Sequence, residues 1–164
     1  MNNSFVIPEK FTSPSFGQVD WNEAISKLVE FMGTDTNASY EVIIGTDSEA
    51  QNGSADYVSA LIVHKKGSGG IYFWSRQKID KIYSLKQRIW NEALISLQIA
   101  EKMVAEFAEM GLKDLNLEIH VDVGPNGPTR ELIAGIVGMI RANGFRVATK
   151  PYSWGASHVA DRHV

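Results

Sequence analysis

The chain of 164 residues contains no cysteine and no long uninterrupted hydrophobic run. Without cysteine it has neither a disulfide framework nor a thiolate metal site, which is typical of proteins from a reducing compartment. No segment approaches about 18 consecutive apolar residues, and the first residues do not join a basic stretch to an apolar one. We therefore expect a cytoplasmic protein that neither crosses nor binds a membrane.

The chain also lacks an excess of positive charge, because its formal net charge is -3. Overall electrostatic attraction to nucleic acid is thereby excluded, and any such binding must use a local basic patch. One stretch qualifies, since positions 76–88 hold five basic residues, including Arg88, against the single acid Asp80. An ordinary solvated strand end and helix start explains this stretch equally well.

The composition is that of one globular domain, with 44% apolar and 21% charged residues. A chain of this length buries roughly 70% of the surface that its unfolded form exposes. Residues 1–19 are rich in Pro, Ser and Asn without periodicity, which predicts an irregular arm. Asp20 and Glu23 then form a capping-box pattern before a helix that ends at Gly33. We expect residues 1–40, arm and helix, to pack on a domain formed by residues 41–164.

Residues 41–164 alternate between short β-branched runs and longer helical patterns. The predicted elements are strands at 41–47, 57–64 and 71–79, a helix at 84–110, a strand at 115–123, a helix at 128–143, a strand at 145–149 and a short helix capped by Ser157. The order β-β-β-α-β-α-β-α predicts an α/β fold with a five-stranded mixed sheet and helices on both faces.

Three acidic residues stand where a solvated carboxylate is unexpected. Asp47 ends an apolar strand, and Asp122 lies within a predicted strand between apolar neighbours. For both, a strand-end acid that caps a loop is an open alternative. Helical spacing places Glu92 on the apolar face of the helix at 84–110, so its carboxylate should point at the sheet. It then needs a cation, a donor or water, unless a core-facing Lys or Arg pairs with it.

A fourth acid, Asp161, follows His158 by three residues, which places both on one face of a short helix. Taken alone, this pair is also typical of surface decoration. Asp47 and Asp122 are expected on adjacent central strands, with Glu92 projecting from the helix that covers them. Like charges that close together are tolerable when cations bind, and oxygen-only ligands favour Mg²⁺ or Mn²⁺ over zinc.

The element order and the four acids resemble the RNase H-like superfamily. More narrowly, the chain resembles the bacterial YkuK-type family of uncharacterised predicted nucleases. The matching segments are Ile-Gly-Thr-Asp-Ser at 44–48, His-Val-Asp-Val-Gly-Pro-Asn-Gly at 120–127 and Lys-Pro-Tyr-Ser-Trp-Gly-Ala-Ser-His-Val-Ala-Asp at 150–161.

The resemblance implies hydrolysis of a nucleic-acid phosphodiester with two Mg²⁺ or Mn²⁺ ions. In that scheme Asp47 bridges both metals, Glu92 and Asp122 hold one, and Asp161 holds the other. His158 assists proton transfer or product release. Because three residues follow Asp161, we expect a short final helix. RNA, DNA and hybrid substrates stay open, as does the oligomeric state.

Substrate contacts are expected from Arg88, from Arg130 after the turn at 124–128, and from Lys150 and Ser153 before the last helix. The turn is also explained as a rigid connection. A non-catalytic module that binds nucleic acid or metal is the alternative function. An actin-like phosphotransferase is disfavoured, because no glycine-rich phosphate loop follows the first predicted strand.

Overall fold

The computed structural model describes residues 5–164, so the first four residues of the predicted arm lie outside the described part. The elements are β1 (Lys10–Ser13), β2 (Gly17–Asp20), α1 (Trp21–Gly33), β3 (Tyr40–Gln51), β4 (Ser54–Lys65), β5 (Gly70–Asp80), α2 (Leu85–Glu109), β6 (Leu117–His120), α3 (Ile133–Ala142) and β7 (Arg146–Ala148). A π-helical turn over Gly155–Ala160 runs into a 3-10 turn over Asp161–His163. We call residues 155–163 the C-terminal segment.

The strands form one mixed sheet in the order β2-β1-β5-β4-β3-β6-β7. The predicted α/β architecture is confirmed, with an antiparallel meander β3-β4-β5 and parallel pairs β3-β6 and β6-β7. The predicted number of five strands is wrong, because β1 and β2 pair with each other and β1 pairs with β5. Residues 10–20 are therefore two strands and not an irregular arm, and the division of the chain at residue 40 stays a prediction.

The first two helices begin at side-chain caps. The Asp20 carboxylate accepts a hydrogen bond from the Glu23 amide at 2.8 Å, and Ser84 Oγ accepts one from the Gln87 amide. Each cap satisfies an amide that has no partner within its helix. Both predicted starts are confirmed.

Three predicted boundaries after α2 differ in the structure. The strand predicted at 115–123 is regular only over Leu117–His120, although the Val121 amide still donates to the Ala148 carbonyl. The helix predicted from 128 begins at 133, after a 3-10 turn over residues 130–132. The prediction of a cap at Ser157 is wrong, because helical structure already starts at Gly155. Ser157 lies inside this turn, and its Oγ donates a hydrogen bond to the Ser153 carbonyl.

The two faces of the sheet pack against different elements, which confirms helices on both faces. Alternate side chains of a strand point to opposite faces. On β3, Val42 and Ile44 belong to the large core that includes buried residues of α1, α2 and α3. Ile43 belongs to a smaller cluster with Ala160 of the C-terminal segment. The side chains of Thr46 and Ser48 therefore face the α-helices, and that of Asp47 faces the C-terminal segment.

The C-terminal segment is anchored on β5 near its own end. The His163 ring stacks on Trp74 with the ring centroids 4.4 Å apart, and His163 Nε2 lies 3.0 Å from the Tyr72 hydroxyl. Arg76 Nη2 donates to the His163 carbonyl at 2.5 Å. The segment is as short as predicted, but these contacts anchor it at His163, two residues beyond Asp161. None of the helices described within residues 5–164 is long and apolar enough to cross a membrane.

Candidate active site

Asp47 and Asp122 are neighbours at the carboxyl ends of two parallel strands. The last recorded pair of β3 and β6 is Gly45 with His120, and each acid lies two residues farther along its chain. Since alternate residues share a face, both carboxylates lie on the face that packs against the C-terminal segment. The expectation that Asp47 and Asp122 stand on adjacent strands agrees with this register, although Asp122 follows β6 instead of lying within it.

Glu92 reaches the same end of the sheet from α2, on the opposite face. Its side chain is 4% exposed, as its place on the apolar helix face predicts. Ser48 Oγ donates a hydrogen bond to Glu92 Oε1 at 2.5 Å. Burial raises the pKa of Glu92 well above its ordinary value, the Ser48 bond acts in the opposite direction, and the charges of Asp47 and Asp122 raise it further. The charge of Arg88 lowers this pKa, and a cation bound close to Glu92 would lower it further.

Asp47 connects these acids to Asp161. Burial is the largest cause that raises the pKa of Asp47 to about 7, and a hydrogen bond between its side chain and that of Asp161 is the second. Two carboxyl groups form a hydrogen bond with each other only when a proton lies between them. The charge of Asp122 raises the pKa of Asp47 further. The four predicted acids thus interact electrostatically at one end of the sheet.

Asp122 forms an ion pair with a basic side chain. Lys150 Nζ lies 3.3 Å from Asp122 Oδ1 and is half exposed. The geometry is not that of a hydrogen bond, however, because the buried Oδ1 atom has no hydrogen-bond partner in the described chain. The lone pairs of Oδ1 are therefore not satisfied by any hydrogen-bond donor of the described chain.

The donor set fits a hard divalent cation, although it does not form a finished metal centre. Across residues 5–164, no group of three or more His, Asp or Glu side chains is arranged to hold a metal ion. The acids nevertheless offer only oxygen atoms as metal ligands, and the buried Oδ1 of Asp122 accepts no hydrogen bond from the described chain. Carboxylate oxygens are the ligands that Mg²⁺ and Mn²⁺ prefer.

The other predicted site residues lie around the acids with different exposures. Arg88 is half-buried one turn before Glu92, and its Nε atom has no hydrogen-bond partner in the described chain. Arg130 is exposed at the start of its 3-10 turn. His158 is exposed, with Nδ1 at 3.3 Å from Ser157 Oγ. Ser153 is fully buried, which does not favour a direct contact with substrate.

Sequence reasoning assigned no role to a buried polar layer beneath the acids. Thr46 Oγ1 lies 2.9 Å from Ser59 Oγ and 2.8 Å from Ser96 Oγ of α2. These hydroxyl groups, with Ser48, continue the helix-facing side of the sheet up to Glu92. The available signal was the position of Thr46 and Ser48 in an otherwise apolar strand.

A family model described as ribonuclease H-like matches residues 23–164. The chain belongs to this family. A curated relative, "Uncharacterized protein YkuK" of Bacillus subtilis (strain 168), is 29% identical over 93% of this chain and 95% of its own length.

Solved structures of ribonucleases H are also similar to this chain. The RNase H1 of Halobacterium salinarum NRC-1 is 14% identical, with a TM-score of 0.39 over 74% of this chain and 96% of its own. LC11-RNase H1, solved in complex with an RNA/DNA hybrid, is 16% identical, with a TM-score of 0.38 over 74% of this chain and 92% of its own.

Proposed function

We propose that this chain is a divalent-metal-dependent nuclease that hydrolyses phosphodiester bonds of nucleic acid by a two-metal mechanism. The observation that carries the proposal is that four carboxylates from separate parts of the chain interact at one end of the sheet, where burial above all, and also their mutual charges, raise the pKa of Asp47 and of Glu92. Structure alone gives little reason to place that much like charge together, whereas a cation site requires it. Membership of the ribonuclease H-like family supports the same conclusion.

Each acid has a distinct place in this proposal. Asp47 is central, because it interacts with Asp161, Asp122 and Glu92. Glu92 is oriented by Ser48, and Asp122 carries the buried Oδ1 atom that no hydrogen-bond donor of the described chain satisfies. Bound Mg²⁺ or Mn²⁺ would activate the attacking water and stabilise the leaving oxygen. The chain itself supplies the ligands and holds the scissile phosphate near them.

The proposed substrate contacts are cationic side chains beside the acids. Lys150 is half exposed next to Asp122, and Arg88 lies one helical turn from Glu92. Arg130 is exposed on the turn that follows Asp122, and His158 is exposed three residues before Asp161. Contacts of this type position a sugar-phosphate backbone without reading its sequence. The proposal therefore covers RNA, DNA and their hybrid.

A non-catalytic module that binds nucleic acid is the second candidate. The ion pair of Lys150 with Asp122 favours it, because a cation already compensates one of the four acids. The two candidates differ in one respect. A nuclease must bind metal through Asp47 and Glu92 and cleave a substrate, whereas the module binds nucleic acid without cleavage.

The test combines Mn²⁺ and Mg²⁺ calorimetry with cleavage assays on RNA, DNA and hybrid substrates. The variants are Asp47→Asn and Glu92→Gln, and the matched control is Glu101→Gln, an exposed acid on the same helix. We expect metal binding and cleavage in the wild type and the control, and loss of both in the two site variants. Metal binding without cleavage supports the binding module. Unchanged metal affinity in both site variants refutes the site.

A further inference from the structure

The C-terminal segment rests on the sheet through its backbone at Gly155 and Ala156. A methyl group on Gly45 of β3 would lie 2.6 Å from the Ala156 nitrogen. One on Gly155 would lie 2.6 Å from Ile43 Cγ2 and 3.1 Å from His120 Nδ1. Contacts that close leave no room for a Cβ atom on either glycine. The first turn of the segment is thus seated directly on β3 and β6.

Within residues 5–164, His120 makes the one side-chain hydrogen bond between β6 and the first turn of the C-terminal segment. It lies at the end of β6 and is 1% exposed. Its Nδ1 atom accepts a hydrogen bond from the Gly155 amide at 3.0 Å. Its Nε2 atom lies 2.9 Å from Glu118 Oε1. Because Nδ1 accepts, the ring proton is on Nε2 and donates to Glu118, so both ring nitrogens have defined roles.

Trp154 packs against one side of the His120 ring. The two rings meet edge to face, with centroids 5.6 Å apart. Trp154 makes a similar contact with His64, whose Nδ1 lies 2.8 Å from Glu41 Oε1. Packing on one side and the Glu118 bond on the other leave the His120 imidazole a single orientation. In that orientation Nδ1 points at the Gly155 amide.

We propose that His120 is a positioning residue, which fixes the start of the C-terminal segment and thereby the place of Asp161 beside Asp47. Gly155 is the first residue of the π-helical turn, and Asp161 follows directly after that turn. The other end of the C-terminal segment is anchored by the His163 ring, which stacks on Trp74. A segment fixed at both ends carries Asp161 between them. The importance of this place for metal binding rests on the proposed function, whereas the docking itself does not.

Two substitutions separate the hydrogen bond from simple packing. In His120→Asn the amide oxygen occupies the position of Nδ1 and still accepts from Gly155. In His120→Gln the amide lies one bond farther out, near the position of Nε2, so it keeps Glu118 and loses Gly155. Asn is smaller and leaves the larger void, so packing alone makes Asn the worse variant. The proposed hydrogen bond makes Gln the worse one.

The measurement is amide hydrogen exchange across residues 155–163, with helix α1 as an internal reference. We expect exchange in His120→Gln to be at least about fivefold faster than in His120→Asn, the factor expected for one neutral hydrogen bond. Exchange in α1 should stay equal in the two variants. Mn²⁺ affinity should fall at least about fivefold in the Gln variant and less than about twofold in the Asn variant. Equal exchange in both variants, or slower exchange in Gln, overturns the proposal.

The nuclease proposal and the positioning role of His120 can fail independently of each other. If the wild type binds no Mn²⁺ and cleaves nothing while the exchange rates still differ as expected, His120 retains its positioning role and the nuclease proposal is refuted. If both variants fail to fold, the wild type decides. A through-hydrogen-bond scalar coupling between the Gly155 nitrogen and His120 Nδ1 is then expected in its NMR spectra. The absence of that coupling contradicts the inference.

Discussion

Asp47→Asn should stabilise the metal-free protein at alkaline pH, even though it removes a proposed catalytic group. In the folded chain the pKa of Asp47 is raised to about 7 from an ordinary value of 3.8, first by burial and then by the bond with Asp161. Between about pH 4 and pH 7 the folded protein keeps a proton that the unfolded chain has released. The free energy of unfolding therefore falls as the pH rises through this window.

The size of the effect follows from the pKa difference. At about 1.36 kcal/mol for each pKa unit, the rise from 3.8 to about 7 costs the folded state at most about 4 kcal/mol above pH 7. Asp47 is only partly buried, so solvent screening reduces this to about 1–3 kcal/mol. An asparagine never ionises, and its amide still donates to Asp161. For a domain of this length, that gain corresponds to a rise in Tm of about 2–10 °C.

The assay is thermal unfolding in EDTA at pH 5 and pH 8, with and without Mg²⁺. The Tm of the Asn variant should be higher than that of the wild type at pH 8, and the two Tm values should be closer together at pH 5. Mg²⁺ at pH 8 should raise the Tm of the wild type alone, because binding to the folded state stabilises it. Glu49→Gln, an exposed acid on the same strand, is the control and should change neither value. A lower Tm for Asp47→Asn at pH 8 would refute this reasoning.

Two further substitutions test neighbouring contacts. Lys150→Met removes the cation 3.3 Å from Asp122, so Mn²⁺ affinity measured by calorimetry should rise about two- to tenfold and nucleic-acid binding should become less salt-dependent. Unchanged metal affinity would contradict the ion pair. Gly45→Ala places a methyl group 2.6 Å from the Ala156 nitrogen and should cost about 1–3 kcal/mol in a denaturant titration. Gly138→Ala in α3, where nothing lies within 4 Å, should be neutral or stabilising.

The central part of the fold could be predicted because its elements are long and periodic. The apolar stripe of α2 is long enough to show that Glu92 points inward, and its burial confirms this. The strands β1 and β2 have four residues each, too few for alternation to be recognised between Pro and Ser residues. Only pairing with β5, which is distant in sequence, makes them strands.

The sequence alone singles out the four acids of the candidate site, but not the residues that support them. Asp47, Glu92 and Asp122 stand out because each occurs where the local pattern favours an apolar residue, whereas Asp161 is singled out by its spacing from His158 and by the family resemblance. The helix that carries Asp161 does not follow from a local cap, because Trp154 provides no side-chain cap and the helix opens with a π-helical turn. Its position depends on contacts with His120 and Trp74, and no local pattern shows such contacts.

The lengths of the strands have a consequence for how copies of this chain meet in a crowded solution. The three longest strands, β3, β4 and β5, have 11 or 12 residues and form the middle of the sheet. The edge strands of the sheet are β2 with four residues and β7 with three. A long unpaired edge strand is a template to which another chain can add a strand, and short edge strands reduce that hazard. The added hairpin of β1 and β2 thus shields β5, which would otherwise offer its backbone to self-association.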